Sequence, residues 1–180
     1  MDTITPPKHV KQVLFTLQSR GYGAYLVGGC VRDMILGVQP NDWDICTSAL
    51  PQEVIELFPK TVATGLKHGT VTVMMGKHGV EVTTFRCDGD YTDHRHPETV
   101  FFVRDLNTDL SRRDFTMNAM AVSGEGYITD PFGGMKDIAH KCIRCVGDPD
   151  KRFEEDALRM FRALRFSARL GFEIEAGTLE

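Results

Sequence analysis

The sequence contains no apolar run approaching the roughly 18 residues that a helical membrane span needs, so such a span is excluded. Its first residues, MDTITPPKHVKQVLF, lack a basic stretch leading into an apolar one, and no secretory signal is expected there. Paired cysteines are absent as well. The chain has five, an odd number at irregular spacing, which suits a reducing cytosol better than a disulfide scaffold. An excess of positive charge is also missing: the net charge is −4, whereas a dedicated nucleic-acid binder is normally basic. There is no internal repeat and no low-complexity tract, and nothing fixes an oligomeric state.

What remains is a 180-residue chain with 42% hydrophobic and 26% charged residues, enough for one ordinary core or for one domain and the start of another. The charge is uneven. Between Lys141 and Leu170 eight Lys and Arg face five Asp and Glu, a local balance of +3 in an acidic chain.

Val10 to Leu17 has helical apolar spacing and stops before Gly21-x-Gly23. AYLVGG reads as a short buried strand ending in glycines, CVRDMIL as a short helix, and WDICT as a second strand. PQEVIELF is a helix with proline in its first turn. GTVTVMM and VEVTTFR alternate, are rich in β-branched residues and are joined by GKHG, which predicts a hairpin. Residues 87–98 read as a polar loop, TVFFV and KCIRCVG as strands, and Asp150 to Leu170 as one long helix. In that helix Phe153, Ala157, Met160, Phe161, Leu164 and Ala168 form the predicted core face. Alternating strands and helices with a central hairpin indicate a mixed sheet in an α/β or α+β domain. After Gly171 the chain is expected to run on into a longer protein, with Thr178 as a helix N-cap; a frayed tail or a cloning remnant are the alternatives.

Two short patterns carry chemistry. In Asp42-Trp43-Asp44 the carboxylates share one face of a strand, and two like charges that close call for a cation between them. Mg²⁺ is the usual one, held by one or two carboxylates plus substrate phosphates. A solvated aspartate-rich turn is the plain alternative. Gly28-Gly29 lies between a strand and a helix, where glycine lets backbone N–H groups approach an anion and the helix N-terminus favours one. A tight turn is again the alternative. Together the two patterns describe nucleotidyl transfer at a metal site.

Along the chain, LVGGCVRDMILG…NDWDI resembles the first motif of class II CCA-adding tRNA nucleotidyltransferases and bacterial poly(A) polymerases, of the polymerase-β-like superfamily. RRDFTMNAMA (112–121) looks like the family's ribose- and phosphate-contacting motif, and DPFGG (130–134) like its turn motif. RFEEDALRMFRALRF (152–166) resembles its base-reading helix, and DGDYTDHRHP (88–97) its flexible loop.

The resemblance implies an α+β head with a mixed, mainly antiparallel sheet flanked by helices over residues 1–148. The start of a helical neck would follow over 149–180. It implies Asp42 and Asp44 as ligands of two Mg²⁺ ions, ATP and CTP as substrates, and the 3′ end of cytoplasmic tRNA as acceptor. Glu81 is a candidate third carboxylate, with an exposed hairpin position as its alternative. Gly28, Gly29 and Arg32 would meet phosphates. Arg112 and Arg113, adjacent and so not expected to share a target, would meet the triphosphate or the primer end. Asp114 and Asn118 would lie near the ribose. Asp156 and Arg159 would read the base, with Glu155 and Arg162 beside them; a Glu155–Arg159 surface salt bridge is the alternative. Members adding only A, only CC or a poly(A) tail, or a nucleotide-binding head without RNA activity of its own, are the other readings. Most of the grip on tRNA would come from helical domains beyond this chain. Cys142-Ile-Arg-Cys145 lacks a second pair for zinc and is assigned to the sheet; His94-x-His96 is assigned to the loop. Met117, Met120, Met160 and Trp43 are assigned to the core.

Overall fold

A computed structural model describes residues 5–89, 91 and 99–179. Helix α1 (Lys8–Ser19) buries Val10, Val13, Leu14 and Leu17, the four positions its spacing marks as apolar. Strand β1 (Ala24–Val27) leads through Gly28 into α2 (Gly29–Ile35), and β2 (Asp44–Thr47) follows. Helix α3 (Pro51–Leu57) starts on its proline, with Glu53 reaching back to the Leu50 amide at 2.6 Å. Strands β3 (Thr61–Gly65), β4 (Thr70–Met75) and β5 (His78–Thr84) come next, β4 and β5 forming the expected hairpin over Gly76-Lys77. The chain continues through β6 (Arg86–Asp88), β7 (Val100–Phe102), α4 (Leu106–Ser111), β8 (Ala121–Val122), β9 (Ile128–Thr129), α5 (Gly134–Ala139) and β10 (Cys142–Ile143). It ends with α6 (Pro149–Glu155), α7 (Leu158–Leu170), β11 (Glu173–Ile174) and α8 (Ala176–Leu179).

Seven strands form the main sheet in the order β3-β4-β5-β2-β1-β8-β9. Every pairing in it is antiparallel except β2 with β5, so the sheet is mixed and mainly antiparallel, as expected. Strand alternation divides the apolar residues. Leu26, Trp43, Ile45, Val80 and Val82 join the large core with α1 and α3, while Val27 and Cys46 join a smaller cluster with Leu110 of α4. Trp43, Met117 and Met120 are buried, as assigned.

The C-terminal segment differs from expectation. The predicted helix over 150–170 is two helices, broken at Asp156, which has extended φ −146° and ψ 101°. Its side chain accepts from the Leu158 amide at 2.9 Å, a local bond that competes with helix continuation. The break re-phases the helix. The buried stripe of α7 is Arg159, Ala163 and Phe166, whereas Met160, Phe161 and Leu164 are 46%, 68% and 58% exposed. Thr178 is not an N-cap. It lies buried inside α8, accepting from the Cys145 amide and donating to Glu175. Strand β11 pairs in parallel with β10, binding residues beyond 149 to those before it. Cys142 lies in β10, and all five cysteines are free thiols. Cys87 and Asp88 of the expected loop are in β6; His94 and His96, with most of 88–97, lie outside the described residues.

Candidate active site

The carboxylates meet where β2 emerges beside β5. Their parallel register sets Asp44 opposite Glu81. Trp43, just before β2, and Ile45 within it are both anchored in the large core, so Asp44 faces the other way; Asp42, expected on the same strand, lies exposed in the bend before it. Asp42, Asp44 and Glu81 together line a cleft of about 910 Å³ that also reaches His9, Lys77 and His78. Burial, then the neighbouring Glu81, pushes the Asp44 carboxyl up to about 6; Arg113 opposes this and Asp42 adds to it. Among the described residues no group of three or more His, Cys, Asp or Glu side chains is gathered so as to hold a metal ion by itself. The donor set fits a hard divalent cation that keeps positions for water and ligand oxygens.

Because the folded pKa of Asp44 is raised, the folded protein takes up a proton as pH falls through about 6. A divalent cation must displace that proton, so its affinity should fall by up to about tenfold per unit below that pH. Mg²⁺ titrations of the chain between pH 5 and 7.5 read this directly, and a flat profile would exclude Asp44 as a ligand.

The glycine turn lies beside this site. Gly28 has φ 76° and ψ −132°, a conformation that side chains avoid, and a Cβ there would press to 3.4 Å from Nη1 of Arg113. Helix α2 has only seven residues, no side-chain N-cap bond and no acidic residue in its first turn. Arg113 adds a cationic side chain behind this turn. Arg113 donates from Nη2 to Asp109 at 2.9 Å, and its buried Nε has no acceptor among the described residues.

Within the protein, Arg112 and Arg113 share one carboxylate partner. Arg112 Nε donates to Oδ1 of Asp109 at 3.1 Å while Arg113 takes Oδ2, because a helix puts residues three and four apart over one carboxylate. Asp109 is 0% exposed and also accepts the Arg86 amide at 3.2 Å. Burial pushes its carboxyl up, but Arg113 and Arg112 outweigh that and hold it below the ordinary aspartate value. Arg112 is further 3.6 Å from Asp88, at the end of β6.

A second network joins Asp114 and Asn118 to the C-terminal helix. Asp114 accepts from Arg162 Nε at 2.7 Å and from Asn118 Nδ2 at 3.2 Å. Asn118 Oδ1 accepts from Arg32 Nη1 at 2.8 Å. Arg32, expected at a phosphate, is only 3% exposed, and Asp33 takes its Nε and Nη2 at 2.9 and 2.7 Å. It supports the turn from within instead of reaching out of it. On the far side, Arg159 donates to Glu155 at 2.9 Å and to the carbonyls of Arg152 and Arg112 at 3.1 and 3.2 Å. The Glu155–Arg159 pair exists, but with side chains 16% and 8% exposed it is an interior pair, not a surface one. Asp156 follows it at the helix break.

Sequence reasoning missed Asp109 and Phe166. Asp109 stands three and four residues before the arginine pair, a spacing that becomes a contact because LNTDLS forms a helix. Phe166 looks like any core aromatic until its neighbours are known.

A sequence model of the poly A polymerase head domain matches residues 24–144, which include the carboxylates, the glycine turn and the paired arginines. The chain belongs to the poly A polymerase head domain family. Members similar to it include the CCA-adding enzyme of Geobacillus thermodenitrificans (strain NG80-2), 57% identical over 92% of this chain and 41% of that protein. The CCA-adding enzyme of Lactobacillus helveticus (strain DPC 4571) is 53% identical over 92% of this chain and 42% of its own length. Among solved structures, the Bacillus stearothermophilus CCA-adding enzyme in complex with CTP superposes with a TM-score of 0.90 at 49% identity. It covers 97% of this chain and 42% of that one. The Thermotoga maritima CCA-adding enzyme complexed with tRNA has a TM-score of 0.77 at 28% identity, over 98% of this chain and 41% of that one. The chain thus spans about two-fifths of the length of the head-domain relatives it matches.

Proposed function

We propose that the chain is the catalytic head of a nucleotidyltransferase that adds C and A to the 3′ end of tRNA from CTP and ATP, without a nucleic-acid template. The observation that carries this is the set of Asp42, Asp44 and Glu81 beside the Gly28 turn and Arg113, in a family whose similar members are CCA-adding enzymes. Asp42 and Asp44 would hold two Mg²⁺ ions, which when bound supply charge neutralisation at the phosphates and a more acidic attacking hydroxyl.

The chain's own groups do the rest. The Gly28 and Gly29 backbone seats the triphosphate, with Arg113 and Arg112 countering its charge. Asp114 and Asn118 meet the ribose, and Asp156 and Arg159 meet the base. Glu155 holds the Arg159 guanidinium, while Arg32 and Arg162 hold Asn118 and Asp114 in place. Glu81 takes the proton of the RNA 3′-hydroxyl. The hydroxyl oxygen bonds to the α-phosphorus, the bond from that phosphorus to the β-phosphate oxygen breaks, and pyrophosphate leaves.

Residues 1–148 form the head in this reading, and 149–180 begin the neck. Leu158, Met160, Phe161 and Leu164, all exposed, mark a face on which further helices of a longer protein would pack. No helix among the described residues is long and apolar enough to cross a membrane. Five free thiols agree with action in the cytosol. The head alone, in a chain of net charge −4, should bind NTP with Mg²⁺ but hold tRNA weakly.

The decisive assay gives the full-length protein tRNAs ending before the CCA, after C and after CC, with one NTP at a time. CMP should enter on the first two and AMP on the third only, with no GMP or UMP. AMP entering on all three in long runs would replace the proposal with a poly(A) polymerase.

A further inference from the structure

Phe166 is 9% exposed on α7 and has two guanidiniums over its ring. The Arg32 Cζ lies 5.0 Å from the ring centroid and the Arg162 Cζ 5.3 Å. Phe115 meets the same ring edge-on at 5.9 Å and 88°. Two cations at one ring would repel, but each carries its own carboxylate: Asp33 on Arg32 and Asp114 on Arg162. The ring's negative faces add a favourable contact to each.

These contacts form a closed circuit. Arg32 donates to Asn118, Asn118 to Asp114, Arg162 to Asp114, and both arginines return to Phe166. The circuit crosses three segments: α2, which begins at the glycine turn; residues 114–118; and α7. Phe166 is seven residues after Arg159 on the same buried stripe, roughly 10 Å along the helix. Sliding α7 against α2 would break at least one of these contacts.

We infer that Phe166 is a positioning residue that fixes the base-reading end of α7 relative to the glycine turn, so that the two halves of a nucleotide are bound in register. This rests on the nucleotide-site reading above. A ligand that touches only the turn gains nothing from the register; one that spans turn and helix gains all of it.

The test uses the 180-residue chain with Mg²⁺ and two probes, CTP and inorganic tripolyphosphate, titrated against wild type, Phe166→Leu and Phe166→Tyr. Leucine keeps an apolar side chain in the core but removes the ring faces, and tyrosine keeps them. Phe166→Leu should weaken CTP about tenfold, the equivalent of one contact of about 1.4 kcal/mol, and change tripolyphosphate by less than about twofold. Phe166→Tyr should restore CTP affinity. Parallel weakening of both probes would mean a merely structural role and would overturn the inference, as would unchanged CTP affinity in Phe166→Leu. A wild-type chain that binds CTP no better than tripolyphosphate would overturn the nucleotide reading itself, and the inference with it.

Discussion

Asparagine at both Asp42 and Asp44 should reduce nucleotide incorporation by the full-length protein at least about 10³-fold while leaving it folded. Metal-assisted phosphoryl transfer draws several kcal/mol of charge stabilisation from the bound ions, and each 1.36 kcal/mol is a decade in rate. The fold does not need these charges. Asp42 is exposed, and Asp44 is held beside Glu81 with its carboxyl pushed up to about 6. A folded pKa above the unfolded one means that the ionised form costs stability, fully so above that pH. The double variant should therefore melt no lower than wild type at pH 7.5, with a gain on the order of 1 kcal/mol after solvent screening. Primer-extension rates and thermal melts on the same preparation separate the two effects. Activity within tenfold of wild type, or a large loss of stability, would remove Asp42 and Asp44 from the centre of the site.

The sheet and the carboxylates were legible because their signals are local. Alternation turns Asp44 away from the buried Trp43 and Ile45, and the hairpin that carries Glu81 is marked by alternation and a glycine turn; Asp42, expected on the strand, lies in the bend before it. The parallel pairing of β2 with β5, which brings Glu81 to Asp44, joins residues 37 apart in the chain and leaves no local trace. The C-terminal helix failed for a related reason. Its apolar residues keep a good helical period, so period alone chose Met160, Phe161 and Leu164 as the inner face. Instead, Asp156 interrupts the helix, and Arg159 turns inward to reach the carbonyls of Arg152 and Arg112. Composition alone does not select an arginine with five donors for the interior; the Arg152 and Arg112 carbonyls and the Glu155 carboxylate that receive it explain its place. The partners of the arginines were illegible for the same reason. Arg32 and Arg113 have similar sequence surroundings, yet one is absorbed by Asp33 and Asn118 while the other lies against Gly28.

The second large effect is expected at Asp109, a residue with no assigned chemistry. It is fully buried, its two carboxylate oxygens accept from Arg112 and Arg113, one each, and it also accepts the Arg86 amide. Removing one member of a buried pair leaves the other charge uncompensated, at about 3–5 kcal/mol. Asp109→Asn should thus lower the melting temperature by roughly 6–20 °C for a domain of this size. The pH dependence follows from the depressed pKa of Asp109. Its contribution is complete above the ordinary aspartate value and is lost as pH falls below it, so the variant and wild type should converge in acid. Pairing the change with Arg113→Met tests the cause: the double variant should regain part of the lost stability, because the orphaned cation is gone. It should still fail to bind CTP, because the charge behind the Gly28 turn is gone too. Recovery of both properties would mean that Arg113 serves only Asp109; recovery of neither would mean that Asp109 acts through the Arg86 amide and the β6 strand rather than through the arginines.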